Sequence, residues 1–346
     1  MRYSKIASIL ISLILVLSLI TSCGSDTGTD TTASDGGDVT AAPEADATEA
    51  LTDAEGNIVT SAEEETTVSD TPTLTPETST GTTTTDPETV VLTFNGLSCN
   101  PSADGYIEVK DNAFVITKAG TYELKGDLSD GQIRVQVNKG ALEEVTLIFN
   151  GFTASSSTTA PLYIVSAEKT TIELAAGSVN ALSDASLYQY ATPGEDKPNA
   201  CIYSSDDLTI KGDGTLTVTG NYNNGIGCKN DIRIRGGNVT VSAPNNILKG
   251  NDSITITGAK VTLSGGEDAI KTDNLTELDK GYILIDEGAQ VTINCTDDAL
   301  QADQSVTVGA TAKVSGTCGG DVYNCPGVVN AAEGTVTVTS TAAPEA

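Results

Sequence analysis

Residues 201–271 read CIYSSDDLTIKGDGTLTVTGNYNNGIGCKNDIRIRGGNVTVSAPNNILKGNDSITITGAKVTLSGGEDAIK. Ile202, Ile226, Leu248 and Ile270 recur in this stretch at intervals of 24, 22 and 22 residues. Leu300 and Val322 extend the register by 30 and 22. A second apolar residue follows six positions on, at Leu208, Ile232, Ile254, Val306 and Val328. Polar pairs precede the reference residue: Asn223-Asn224, Asn245-Asn246, Glu267-Asp268 and Asp297-Asp298. After it come two short alternating runs joined by a turn, as in IRIRGGNVTV and ITITGAKVTL. A period near 22 with strand-turn-strand content predicts a solenoid whose repeats stack on one another.

Side chains alternate along a strand, so Ile232, Ile234, Val239 and Val241 share one side while Arg233, Arg235 and Thr240 take the other. An antiparallel sandwich also alternates, but it does not hold one register through five steps. The pattern predicts an all-β, single-stranded parallel β-helix of about 22 residues per turn. Residues 89–198 have the same texture with less regular spacing, and read as first turns of the stack or as its cap.

The two ends read differently. Residues 1–22 carry Arg2 and Lys5 before an apolar run, the pattern of a secretory signal segment. Ile20-Thr21-Ser22-Cys23 resembles the bacterial lipobox, in which the cysteine becomes the diacylated N-terminus. Cys23 is the expected lipidation site, and the only membrane contact expected is through that lipid. Residues 23–88 hold 16 acids and no base, and read as a disordered tether rich in Thr, Ala and Pro. The expected location is the extracellular face of the cell membrane. The folded domain spans 89–340, followed by a tail, 341–346. Subtracting the tether acids and the two leader bases leaves residues 89–346 with 31 acids and 16 bases, within a chain of net charge −29. That charge excludes nucleic acid as a partner. With no His, Ser-His-Asp catalysis, Cys-His catalysis and His-ligated zinc are all excluded.

Six cysteines remain besides Cys23: Cys99, Cys201, Cys228, Cys295, Cys318 and Cys325. Six allow 15 complete pairings. Cys295 and Cys318 fall at nearly the same register on neighbouring repeats, which favours that pair; buried free thiols are the alternative.

The stretch CIYSSDDLTIKGDGTLTVTGNYNNGIGCKNDIRIRGG, with DSITITGAKVTLSGGEDAIKTDN and KGYILIDEG after it, resembles a family of exported carbohydrate-binding domain-containing proteins. Upstream, AFVITKAGTYELKGDLSDGQIRVQV and APLYIVSAEKTTIELAAGSVNALSD match the same family. The resemblance covers essentially all of 89–340. It implies a right-handed β-helix related to pectate lyases, bound calcium, and affinity for cellulose and polygalacturonate. Asn245-Asn246-Ile247 departs from the family's Asp-Gly pattern, which argues against calcium at that rung.

Glu267, Asp268 and Asp273 in one repeat correspond to Asp297, Asp298 and Asp303 in the next. Six stacked carboxylates repel, so protons, lysines or a hard cation must compensate. Calcium suits an all-oxygen set; a solvated acidic turn is the alternative. Lys249 and Lys271 share an outward column with Tyr203, Gln301 and Tyr323. Such a column suits an extended sugar chain, with lysines pairing uronate carboxylates. Alternatively, the lysines simply neutralise the acidic turns. The resulting expectation is a monomeric, non-catalytic polysaccharide-binding protein. A calcium-dependent lyase with Lys271 or Lys249 as base is the rival reading, but a lysine among carboxylates keeps its proton. Hydrolysis by Asp297-Asp298 lacks the accompanying Gly-His-Gly and Arg-Ile-Lys elements. A structural surface adhesin is the third reading.

Overall fold

A computed structural model describes residues 88–138, 143–190, 194 and 197–342. The signal segment, Cys23 and almost all of the acidic tether lie outside these residues. The described residues fall in one compact unit, Thr80–Ala346.

Every regular element among the described residues is a β-strand. Ten strands form one sheet, in which Gln132–Gln136, Leu162–Ser166, Ala200–Ser204, Asn224–Cys228, Leu248–Gly250, Ile270–Thr272, Leu300–Gln301 and Tyr323–Asn324 pair successively in parallel. A larger sheet carries two further parallel ladders. One runs through Ser253–Thr257 and Tyr282–Asp286, the other through Lys260–Gly265 and Gln290–Asn294. The long strands Asp207–Thr219 and Asp231–Ala243 belong to both, with a register shift between Gly212 and Thr215 where they bend. Two antiparallel hairpins, Val90–Gly96 with Ser98–Pro101 and Ile107–Lys110 with Ala113–Ile116, close the N-terminal end.

The apolar register is the core. Ile202, Ile226, Leu248, Ile270 and Leu300 face one another in sequence, each 0% exposed. Burying such side chains stabilises by roughly 1.5–3 kcal/mol apiece. The column continues upstream through Leu162, Ile133 and Phe114. Residues before 199 are therefore part of the same stack, and only its first two hairpins act as a cap.

At the C-terminal end the register departs from expectation. Leu300 pairs with Tyr323, not Val322, and Val306 pairs with Val329, not Val328. The cause is a longer turn. Gly258-Ala259 joins one pair of strands with two residues, whereas Ala310–Ala312 uses three, because Gly309 already lies opposite Asp286. The 30-residue step has a similar origin. An inserted loop after Asp273 delays the plus-six residue, which is Ile283 in that rung.

Candidate functional site

Position 203 lies within one side-chain column of the ten-stranded sheet. Pairing places Arg134, Tyr163, Tyr203, Gly227, Lys249, Lys271, Gln301 and Asn324 in line. Tyr203, Lys249, Lys271 and Gln301 are thus aligned as the spacing predicts, but Tyr203 is not an outward residue: packed against its neighbours, it is only 2% exposed. Tyr323 is not aligned with them: the longer turn moves it into the apolar column, where it packs half-buried against the core, and Asn324 takes the outward place. Arg134 and Tyr163 escape the sequence reading. They lie upstream of the regular register, in rungs separated by steps of 29 and 40 residues. The Tyr163 and Tyr203 rings meet edge to face at 5.7 Å.

Two cavities lie end to end along this column. The first, about 370 Å³, is lined by Arg134, Tyr163, Gln132, Asn112, Tyr190 and Lys197 among others. The second, about 440 Å³, includes Lys197, Tyr203, Asn199, Asn224, Lys229 and Lys249. Lys197 belongs to both, and its ammonium lies 5.5 Å from the Tyr203 ring centre. Gly227 keeps the second floor open: a Cβ there would lie 3.0 Å from Ala200 Cβ and 3.3 Å from Tyr203 Cδ2. Four bases and two acids, Asp111 and Asp273, line the two cavities. The groove is cationic in a strongly acidic chain.

The wall of the first cavity comes from the insertion between Ser183 and Ala200. Tyr188 anchors it, buried beside Ala160 and Ala185 and stacked on Tyr222 at 4.2 Å. The Tyr188 hydroxyl donates to Asp184 Oδ2 at 2.6 Å. Burial pushes the Asp184 carboxyl up, against the lowering effect of its bonds from Tyr188 and Asn221. Burial also pushes the Tyr188 phenol up, and the Asp184 charge adds to this.

The six carboxylates of the acidic turns divide into groups. Asp268, Asp297 and Asp298 bring oxygens within 4.8 Å of one another. Asp268 and Asp298 are buried, and Asp297 is exposed. Asp268 Oδ1 accepts the Asp298 N–H at 3.2 Å, and its Oδ2 meets Lys271 Nζ at 3.0 Å. Asp298 repeats the motif, accepting from Asp321 N at 2.7 Å and Asn324 Nδ2 at 2.6 Å. One rung earlier, Asn246 Oδ1 is buried with no hydrogen-bond partner among the described residues. Asp273 and Asp303 stand at the other end of their strands. Lys249 Nζ lies 2.9 Å from Asp273 Oδ2. Burial, then the Asp273 charge, raises the Asp303 carboxyl, while Lys271 and Lys249 lower it. Glu267 is exposed and joins neither group.

This arrangement has two chemical consequences. Clustered hard oxygens with an orphaned buried amide oxygen nearby fit a calcium-like cation, which Asp268, Asp297 and Asp298 would hold. The two lysines are ion-paired, and an ammonium has no lone pair with which to take a proton.

The model of a family described as carbohydrate-binding domain-containing protein matches residues 110–343. A protein of that name from Acetivibrio thermocellus is 44% identical over 233 residues, 67% of this chain and 80% of the relative. A solved structure described as the polysaccharide lyase-like protein from C. thermocellum, gadolinium derivative, is 43% identical. It superposes with a TM-score of 0.70, covering 72% of this chain and all of the other. Matched by the family model over 110–343 and by a relative of that name at 44% identity, the chain belongs to the carbohydrate-binding domain-containing protein family.

Proposed function

We propose that this protein binds cell-wall polysaccharide of the cellulose or pectate type along the outward column, without cleaving it. The observation that carries this reading is the groove from Arg134 to Lys249, with the part-exposed Tyr163 ring and four bases along it. An extended sugar chain lies along the stack. Tyr163 offers apolar ring surface to sugar faces, with the buried Tyr203 ring packed edge to face against it, Asn199 meets hydroxyls, and Arg134, Lys197 and Lys249 pair uronate carboxylates. The scaffold is a right-handed single-stranded parallel β-helix, a reading supported by ladders in which each rung pairs with the next. Calcium at Asp268, Asp297 and Asp298 offsets carboxylate repulsion and fastens adjacent turns. The lipidated Cys23 and the acidic tether display the domain, as a monomer, outside the cell membrane.

A second reading, calcium-dependent lyase, draws support from the lyase-like description of the solved relative. The ion pairs of Lys249 and Lys271 weigh against it. Both readings meet one experiment. The full chain is incubated with insoluble cellulose and with pectate, with and without chelator, while ultraviolet absorbance of unsaturated uronates is followed. Retention without an absorbance rise is expected. A calcium-dependent rise would establish the lyase, and absence of retention on both polymers would overturn the binding reading. Chelator is also expected to lower the melting temperature; an unchanged value, with no metal found by elemental analysis, removes calcium from the proposal.

A further inference from the structure

Cys295 and Cys318 occupy the same place on consecutive rungs. Asn294 faces Thr317 in the parallel ladder, and the next bond, Cys295 N to Thr317 O at 3.2 Å, continues that register by one residue. Both side chains turn inward, at 6% and 1% exposed. In-register parallel neighbours lie about 4.8 Å apart, within the roughly 4.4–6.8 Å between Cα atoms that a disulfide spans. Each thiol makes a local contact of the same kind, to a carbonyl in the turn that follows it: Cys295 to Asp298 O and Cys318 to Gly320 O. The remaining cysteines face other residue types. Cys99 is opposite Phe94, and Cys228 is opposite Ser204 and Gly250. Cys201 and Cys325 fall beside Gly225 and Ala302 when their ladders are read on by one residue.

We propose that Cys295 and Cys318 are an oxidisable pair, joined by a cross-rung disulfide on exchange with a small-molecule or protein disulfide. One thiolate attacks a sulfur of the oxidant and releases one oxidant thiol. The second protein thiol then displaces the other half. Two protein S–H bonds and one oxidant S–S bond become one protein S–S bond and two oxidant S–H bonds. The link closes the rung that carries the Asp297-Asp298 turn onto the rung below it. The other cysteines stay free, so the fold selects one bond where sequence counting permits 15 complete pairings.

Refolding the full chain in oxidised or in reduced glutathione tests this, because access does not then depend on opening the folded core. Thiols left free are capped with iodoacetamide in denaturant, and peptides are mapped without reduction. Expected is a Cys295–Cys318 linked peptide in the oxidised sample alone, with Cys99, Cys201, Cys228 and Cys325 capped. The oxidised protein should also melt at a higher temperature than the reduced one, a difference that Cys318→Ser removes. Capped Cys295 and Cys318 after oxidative refolding would overturn the proposal, as would glutathione on either, or a link from either to another cysteine. The wild-type peptide map decides the matter even if the serine variant does not fold.

Discussion

Gly227 stands in a column whose neighbours on either side are Tyr203 and Lys249. An added methyl would press on Ala200 Cβ at 3.0 Å and on the Tyr203 ring at 3.3 Å. Gly227→Ala should therefore cost about 1 kcal/mol through overpacking, and should also weaken polysaccharide retention by shifting the buried Tyr203 ring against which Tyr163 packs. Thermal melting and pull-down on the same sample separate the two effects. A lowered melting temperature with full retention would show that the Tyr203 packing does not position the groove. Tyr203, Lys249, Lys271 and Gln301 were legible as one column because equal spacing in sequence becomes equal height in a parallel ladder. The same spacing puts Tyr323 outward, and one extra turn residue at Ala310–Ala312 sends it inward. Arg134 and Tyr163 carried no such periodic mark. Nor does spacing reveal that Asp268 and Asp273 fall at opposite ends of a strand, each against a different lysine.

At the scale of elements, the insertion between Ser183 and Ala200 explains both the obscured register and the groove wall. It lengthens one step to 40 residues, which hides Leu162 from a search at a period near 22. Its own small core of Tyr188, Tyr222 and Ala185 is invisible to strand alternation, since no strand builds it. Its weak point is chemical. The Asp184 carboxyl, raised chiefly by burial, binds a proton more readily folded than unfolded. A raised acid makes folding less favourable as pH climbs from the ordinary carboxylate range through the raised value, and the full penalty applies above it. Asp184→Asn carries no such penalty and keeps an oxygen to accept from Asn221 and an amide facing the Tyr188 hydroxyl. Its melting temperature relative to the wild type should rise between pH 4 and pH 7. Parallel melting curves over that range would show that this carboxyl does not titrate with the loop.

For the whole molecule, the sign of charge becomes the decisive quantity. A chain of net charge −29 repels a polyuronate at long range, yet the groove from Arg134 to Lys249 concentrates bases where the polymer would lie. Long-range repulsion and short-range pairing respond to salt in opposite directions. Added salt screens repulsion between separated charges first, because the Debye length falls from about 30 Å at 0.01 M to about 10 Å at 0.1 M. Contact pairs at hydrogen-bonding distance inside a partly enclosed groove are screened less. Pectate binding should therefore tighten as salt rises from low ionic strength, pass through a maximum, and weaken at high salt as the pairs are screened. Binding to cellulose, which has no charge, should change little over the same range. Titrations of both polymers across ionic strength, repeated with Lys197→Ala, check this. The variant should lose pectate affinity mainly on the high-affinity part of the curve and keep its cellulose affinity. A monotonic fall in pectate binding from the lowest salt would show that the groove's bases dominate at every distance. Equal salt curves for the two polymers would remove uronate pairing from the mechanism and leave the tyrosine and asparagine contacts to hold the sugar chain.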